Sequence, residues 1–122
     1  MKNLSIEASA YEPNVELNAQ EHTLLFKGES RPEDVKSFFI PIFVWLENYL
    51  SFLIENKTDK IVCTFNLDYF NSSSSKSILD VIEKLAEIQK TTGVKAIIQW
   101  YYDPMDEDMK EAGEEFELIT EL

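Results

Sequence analysis

Two apolar runs, Lys60–Leu67 and Val94–Tyr102, stand on either side of a segment whose apolar residues recur at helical spacing, and that succession leaves the chain few ways to fold. Ile78, Leu79, Ile82, Leu85, Ala86 and Gln89 form one helical face with Val81 and Ile88 at its margin, and Gly93 follows as a helix stop. A strand, a helix and a strand in that order predict parallel pairing through a right-handed crossover. The mostly apolar character of the first run predicts a place inside the sheet rather than at its edge.

The remaining segments supply the rest of an α/β domain. Leu4–Ala8, Val15–Leu17 and His22–Lys27 read as three short strands separated by Tyr11-Glu12-Pro13-Asn14 and Asn18-Ala19-Gln20-Glu21, the third ending at Gly28, and together they predict an antiparallel meander. Ser30-Arg31-Pro32-Glu33 then reads as a capping box, with Ser30 at the cap and Pro32 in the first turn. Val35, Phe38, Phe39, Ile42, Phe43, Leu46, Tyr49, Leu50 and Leu53 make the buried face of a long helix. Pro41 lies inside that helix, where it removes a hydrogen bond and predicts a kink, and Ile40, Val44, Trp45 and Phe52 fall off the stripe. After Asp103-Pro104 a short acidic helix is predicted from Met105 to Phe116, with Phe116–Ile119 as a last edge strand. The expected fold is one domain over residues 1–122: a mixed β-sheet with two main helices and a short C-terminal helix.

Several function classes are disfavoured. A formal net charge of −12 repels nucleic acid and anionic membrane surfaces while leaving a basic protein partner open. The longest uninterrupted apolar stretch, Phe38–Leu46, is about half a membrane span, and the N-terminus reaches Glu7 before a signal-peptide core forms. Cys63, the one cysteine, sits in a strand pattern that predicts a buried thiol and fits a reducing cytoplasm. His22 is the sole histidine, no Gly-x-Ser-x-Gly frame surrounds a serine, and the three glycines are too scattered for a phosphate loop. No alternating oxygen ligands around a central glycine suit calcium, and neither metal nor cofactor is expected.

What stands out is Asn71-Ser72-Ser73-Ser74-Ser75-Lys76, a run of hydroxyls where the first apolar strand gives way to the second helix. One side-chain oxygen suffices to cap a helix. Consecutive serines at the positive end of a helix dipole suggest a hydroxyl offered to a kinase or a bound phosphate. The competing reading makes the serines a redundant cap and assigns binding to the acidic C-terminus, as a constitutive interaction module. Arg31 is the only arginine, so a phosphate here has no internal arginine cluster, although Lys76 lies one turn beyond Ser72.

Tyr69-Phe70-Asn71-Ser72-Ser73-Ser74-Ser75-Lys76 resembles the aromatic-x-Asn-[Thr/Ser]-Ser-Ser-x-Lys signature of SiaC-type regulatory phosphoproteins. Pro32-Glu33-Asp34 before a helix carrying Trp45-Leu46-Glu47, and the strand ending Gln99-Trp100-Tyr101-Tyr102-Asp103, are also similar to that family. The resemblance implies a fold like that of STAS-domain anti-sigma-factor antagonists and a non-enzymatic role switched by phosphorylation. It implies Ser72 as the acceptor, with Ser73 and Ser74 as secondary acceptors, and Tyr69, Asn71, Ser73 and Lys76 as the surface that meets partners or phosphate. It further implies three partners: a protein kinase, a PP2C-type phosphatase, and an output protein, a diguanylate cyclase or another regulatory protein. Ser72 stands where threonine is also found, a chemically equivalent acceptor.

Overall fold

Both apolar runs become neighbouring parallel strands. In the computed structural model, which describes residues 1–120 and 122, the chain runs β1 (Leu4–Ile6), β2 (Asn14–Asn18), β3 (Thr23–Ser30), α1 (Val35–Glu55), β4 (Lys60–Phe70), α2 (Ser72–Thr92), β5 (Lys95–Trp100) and α3 (Glu107–Thr120). These strands share one sheet in chain order. The pairs β1–β2 and β2–β3 are antiparallel, as the meander predicted, and β3–β4 and β4–β5 are parallel. Helices α1 and α2 are the two crossovers.

Strand alternation divides the sheet into a covered and an open face. Val15, Phe26, Phe65 and Trp100 fall in one cross-strand row. In that row the Phe26 and Phe65 rings stack at 5.0 Å and Phe65 meets Trp100 at 5.4 Å. Ile61, Cys63, Phe65 and Leu67 of β4 are all buried on this side, under the helices. The next row, Glu16, Leu25, Thr64 and Gln99, is exposed or half-buried, and Thr64 Oγ1 donates to Gln99 Oε1 at 3.1 Å. Burial pushes the Cys63 thiol far above its ordinary pKa, so it is a core side chain.

Helix α1 places Phe38, Phe39, Ile42, Leu46, Tyr49, Leu50 and Leu53 in the core, as its stripe predicted, while Val35 and Phe43 stay half-buried. Trp45, read as off the stripe, is also buried: its ring stacks on Tyr49 at 4.7 Å and its Nε1 donates to the Lys2 carbonyl at 2.9 Å. The N-terminal segment therefore covers what the stripe leaves bare. By length and composition α1 matches a membrane span, with a mean hydropathy of 1.5, which the nine-residue apolar stretch did not suggest. Here that hydropathy reflects a core face plus exposed Ile40, Val44 and Ile54. The helix runs unbroken through Pro41. Ser37, whose carbonyl loses its partner to that proline, lies on the exposed side with it, where solvent can satisfy the oxygen.

Several strand ends shift by two or three residues from the sequence reading, β4 running on to Phe70 and β5 stopping at Trp100, and three differences have a clear physical cause. Strand β3 continues past Gly28 to Ser30, because Gly28 takes φ +111° at a bulge where Gly28 pairs with Leu67 and Glu29 with Tyr69, leaving Asp68 unpaired. Ser30 consequently ends a strand instead of capping α1. Asp34 is the cap, its Oδ1 accepting from Ser37 N at 3.1 Å and its Oδ2 from Ser37 Oγ at 2.8 Å. The third difference is at the C-terminus, where Phe116–Ile119 is the last turn of α3 and not an edge strand. Met109 and Phe116, two turns apart, bury one stripe, with Phe116 against Trp100 at 5.4 Å and Phe70 at 6.2 Å, and Trp100 Nε1 donates to the Met109 carbonyl.

Gly113 is what lets α3 lie flat on Trp100, since a Cβ there would fall 2.5–2.8 Å from the indole. In an exposed helix, Gly→Ala stabilises by about 0.5–1 kcal/mol. Gly113→Ala is expected to do the reverse, lowering the urea midpoint and weakening the near-UV dichroism of Trp100.

Candidate functional site

The junction after β4 is built by one cap and one buried hydroxyl pair. Asn71 has the extended backbone of a helix cap, and its Oδ1 accepts from Ser74 N at 2.8 Å. Its own amide donates to the Ser30 carbonyl at 3.1 Å, and its carbonyl accepts from Ser75 N at 2.9 Å. Ser30 Oγ in turn donates to Ser74 Oγ at 2.9 Å, with both residues buried. The end of β3 is thereby fastened to the first turn of α2. At the far end of α2, Gly93 takes the left-handed conformation expected of a helix stop.

This arrangement gives the four serines different roles. Ser74 is fully buried and engaged through both N and Oγ. Ser72 and Ser73 are exposed, and Ser75 is half-buried. Ser72 and Ser73 occupy the first two helical positions, where backbone amides have no intrahelical partner.

Both exposed serines open on a groove of about 840 Å³ between the N-terminal halves of α1 and α2. From α2 the groove also takes Lys76, Ser77 and Asp80; α1 and the turn before it contribute Lys36, Phe39, Ile40 and Phe43, with Glu33 and Asp34 at the rim. Ile40 is 56% exposed, so the lining includes apolar surface open to solvent. Two helices that follow two parallel strands begin at the same end of the sheet, beyond the C-termini of β3 and β4, which puts their first turns side by side.

Of the residues singled out in the sequence, Ser72, Ser73 and Lys76 come together at this groove. Asn71 is spent on the cap. Tyr69 is exposed but does not line the groove, because Phe70 turns inward toward Trp100 at 6.1 Å and alternation sends Tyr69 the other way. Sequence reasoning missed Ser30, Lys36 and the groove-facing role of Ile40 and Phe43. Their only signal was Ile40 lying off the stripe. Arg31 is occupied elsewhere, paired with Glu29 at 3.0 Å and stacked over Tyr11 at 4.8 Å.

Comparisons with known proteins cover nearly the whole chain. The family model described as SiaC family regulatory phosphoprotein matches residues 6–122. The chain is 28% identical over 116 residues to an uncharacterized protein of Pseudomonas aeruginosa, covering 95% of this chain and 88% of that protein. The crystal structure of apo-SiaC from Pseudomonas aeruginosa matches with a TM-score of 0.83 at 26% identity, covering 98% of this chain and 93% of that one. A chain in the crystal structure of the diguanylate cyclase SiaD in complex with its activator SiaC, also from Pseudomonas aeruginosa, matches with a TM-score of 0.82 at 27% identity, covering 94% and 90%.

Ser74→Ala should cost about 1–3 kcal/mol in urea unfolding, because it strands the buried Ser30 hydroxyl, whereas Ser72→Ala should stay within about 0.5 kcal/mol. A second expectation concerns acid. Hydrogen bonds from the Ser37 amide and hydroxyl, and then the charge of Lys36, hold the Asp34 carboxyl below its ordinary value. A depressed folded-state pKa stabilises above the unfolded value, and that contribution disappears as pH falls through the folded one. Acidification below about pH 4 should therefore fray the first turn of α1, seen as faster amide exchange at Ser37.

Proposed function

The chain belongs to the SiaC family of regulatory phosphoproteins, and from that membership and the site we propose that it is a non-enzymatic switch set by phosphorylation of Ser72. In this reading a protein kinase adds the phosphate, a PP2C-type phosphatase removes it, and the unphosphorylated chain binds a diguanylate cyclase in the cytoplasm. Ser73 is the secondary acceptor. The observation that carries the proposal is the exposure of Ser72 on an apolar-lined groove. The cyclase assignment draws on the complex in which SiaC is the activator of SiaD.

Energetics favour action at a surface over refolding. A phosphate adds about 1.5–2 negative charges and three acceptor oxygens. Its interaction with an exposed helix end is worth about 0.3–1 kcal/mol, too little to rearrange a helix with seven buried residues such as α2. Forced into an interface without matching cations, the same group loses hydration at a cost of several kcal/mol, which is about a hundredfold or more in affinity. The phosphate therefore acts by denying the groove to the output protein.

Titration calorimetry with a purified diguanylate cyclase tests this. Ser72→Ala should bind like the unmodified chain, and Ser72→Asp or the phosphorylated chain should bind about a hundredfold more weakly. Equal binding by all three would instead assign recognition to the acidic outer side of α3, the constitutive-module alternative.

A further inference from the structure

The sequence offers a phosphate on Ser72 one nearby cation, Lys76, on its own helix. Tertiary structure brings a second from the other helix: Lys36, in the first turn of α1, lines the same groove as Ser72, Ser73 and Lys76. Among the described residues, ion pairs engage Arg31 and Lys84, and none engages Lys36 or Lys76. Arg31 is held by Glu29, and Lys84 bridges Glu47 on α1 and Glu87 on α2. The two lysines thus line the groove from different helices, Lys36 near enough to Asp34 for its charge to act there without forming an ion pair among the described residues.

We propose that Lys36 and Lys76 form a two-helix clamp for the phosphate on Ser72, closing the groove mouth over Ile40 when the chain is phosphorylated. This inference rests on Ser72 being the acceptor and adds how the modified state holds its charge. Packed helices lie about 8–10 Å apart, a span that a lysine stem and a phosphoseryl group bridge together. The acidic groups at the groove are Glu33, Asp34 and Asp80. Asp34 is already taken by the Ser37 amide and hydroxyl. Glu33 and Asp80 are single carboxylates, in no ion pair among the described residues, and a phosphate dianion with three acceptor oxygens outbids each of them for an ammonium. Consequently the phosphate does more than repel a partner: with the helices in place, it gathers the Lys36 and Lys76 side chains over the apolar surface a partner would use.

The test installs phosphoserine at position 72 by genetic encoding, so it needs no kinase, and follows the phosphate by ³¹P NMR titration. In the otherwise unchanged chain the second ionisation should fall roughly half a unit or more below about 6, because flanking ammonium groups favour the dianion. Lys36→Met should raise that midpoint, and Lys76→Met should raise it as well. Lys57→Met is the control for overall charge: Lys57 follows the C-terminus of α1, roughly 30 Å from Lys36 along the helix, and its loss should leave the midpoint in place. A midpoint that ignores Lys36→Met, or moves equally with Lys57→Met, overturns the clamp. Cyclase binding by the same samples separates the two proposals. Weakened binding without a Lys36 effect leaves the switch standing and sinks the clamp; a Lys36-dependent midpoint with undiminished binding sinks the switch and, with it, the clamp's closure of the groove, leaving only the lysine–phosphate pairing.

Discussion

The inner face of β4, where Ile61, Cys63, Phe65 and Leu67 are withdrawn from solvent, is the constraint around which the other elements arrange themselves. A strand this apolar needs neighbours on both edges, and β3 and β5 supply them in parallel. Each parallel pairing demands a crossover, and successive right-handed crossovers that step the same way across a sheet lay their helices on the same face. Helices α1 and α2 are therefore forced side by side. Their N-termini are forced to one end of the parallel strands, and the groove between them follows from topology before any side chain is considered.

That topology also explains why a run of serines is used so unevenly. The first turn of α2 must stay attached to the strands beneath it, and the attachment is polar: Asn71 caps Ser74, and Ser74 meets Ser30 inside the protein. Paired hydroxyls satisfy each other where water cannot reach. Having assigned Ser74 to this task, the helix turns Ser72 and Ser73 outward to the groove. A single repetitive motif thus divides into a structural half and an exposed half, one residue apart, because a helix rotates successive side chains by about 100°.

Much of the fold was legible in the residues. The strand–helix–strand pattern, the antiparallel meander, the core stripe of α1 and the Gly93 stop depend on periodicity and on local backbone preference, both written in neighbouring residues. The errors came where a residue suited two local structures. Ser30-Arg31-Pro32-Glu33 satisfies a capping box, yet pairing of Ser30 with Phe70 and burial of its side chain hold it in β3, and Asp34 caps instead. Phe116-Glu117-Leu118-Ile119 has strand-forming residues, yet Phe116 gains more from packing on Trp100 and Phe70 as part of α3.

By itself the sequence determined that this chain forms an α/β domain and that an unusual set of hydroxyls stands at a helix start, since both follow from spacing and residue type along the chain. Its family membership is likewise carried along the chain, by a match over residues 6–122. Only the tertiary structure decided which serine is buried, which lysine comes from the other helix, and that Trp45 is covered by the segment around Lys2. Those outcomes depend on contacts between residues about 40 positions apart, Ser30 with Ser74, Lys36 with the Ser72 groove, and Lys2 with Trp45. No local pattern encodes such distances, because they are set by how the parallel strands align and where the crossover helices land.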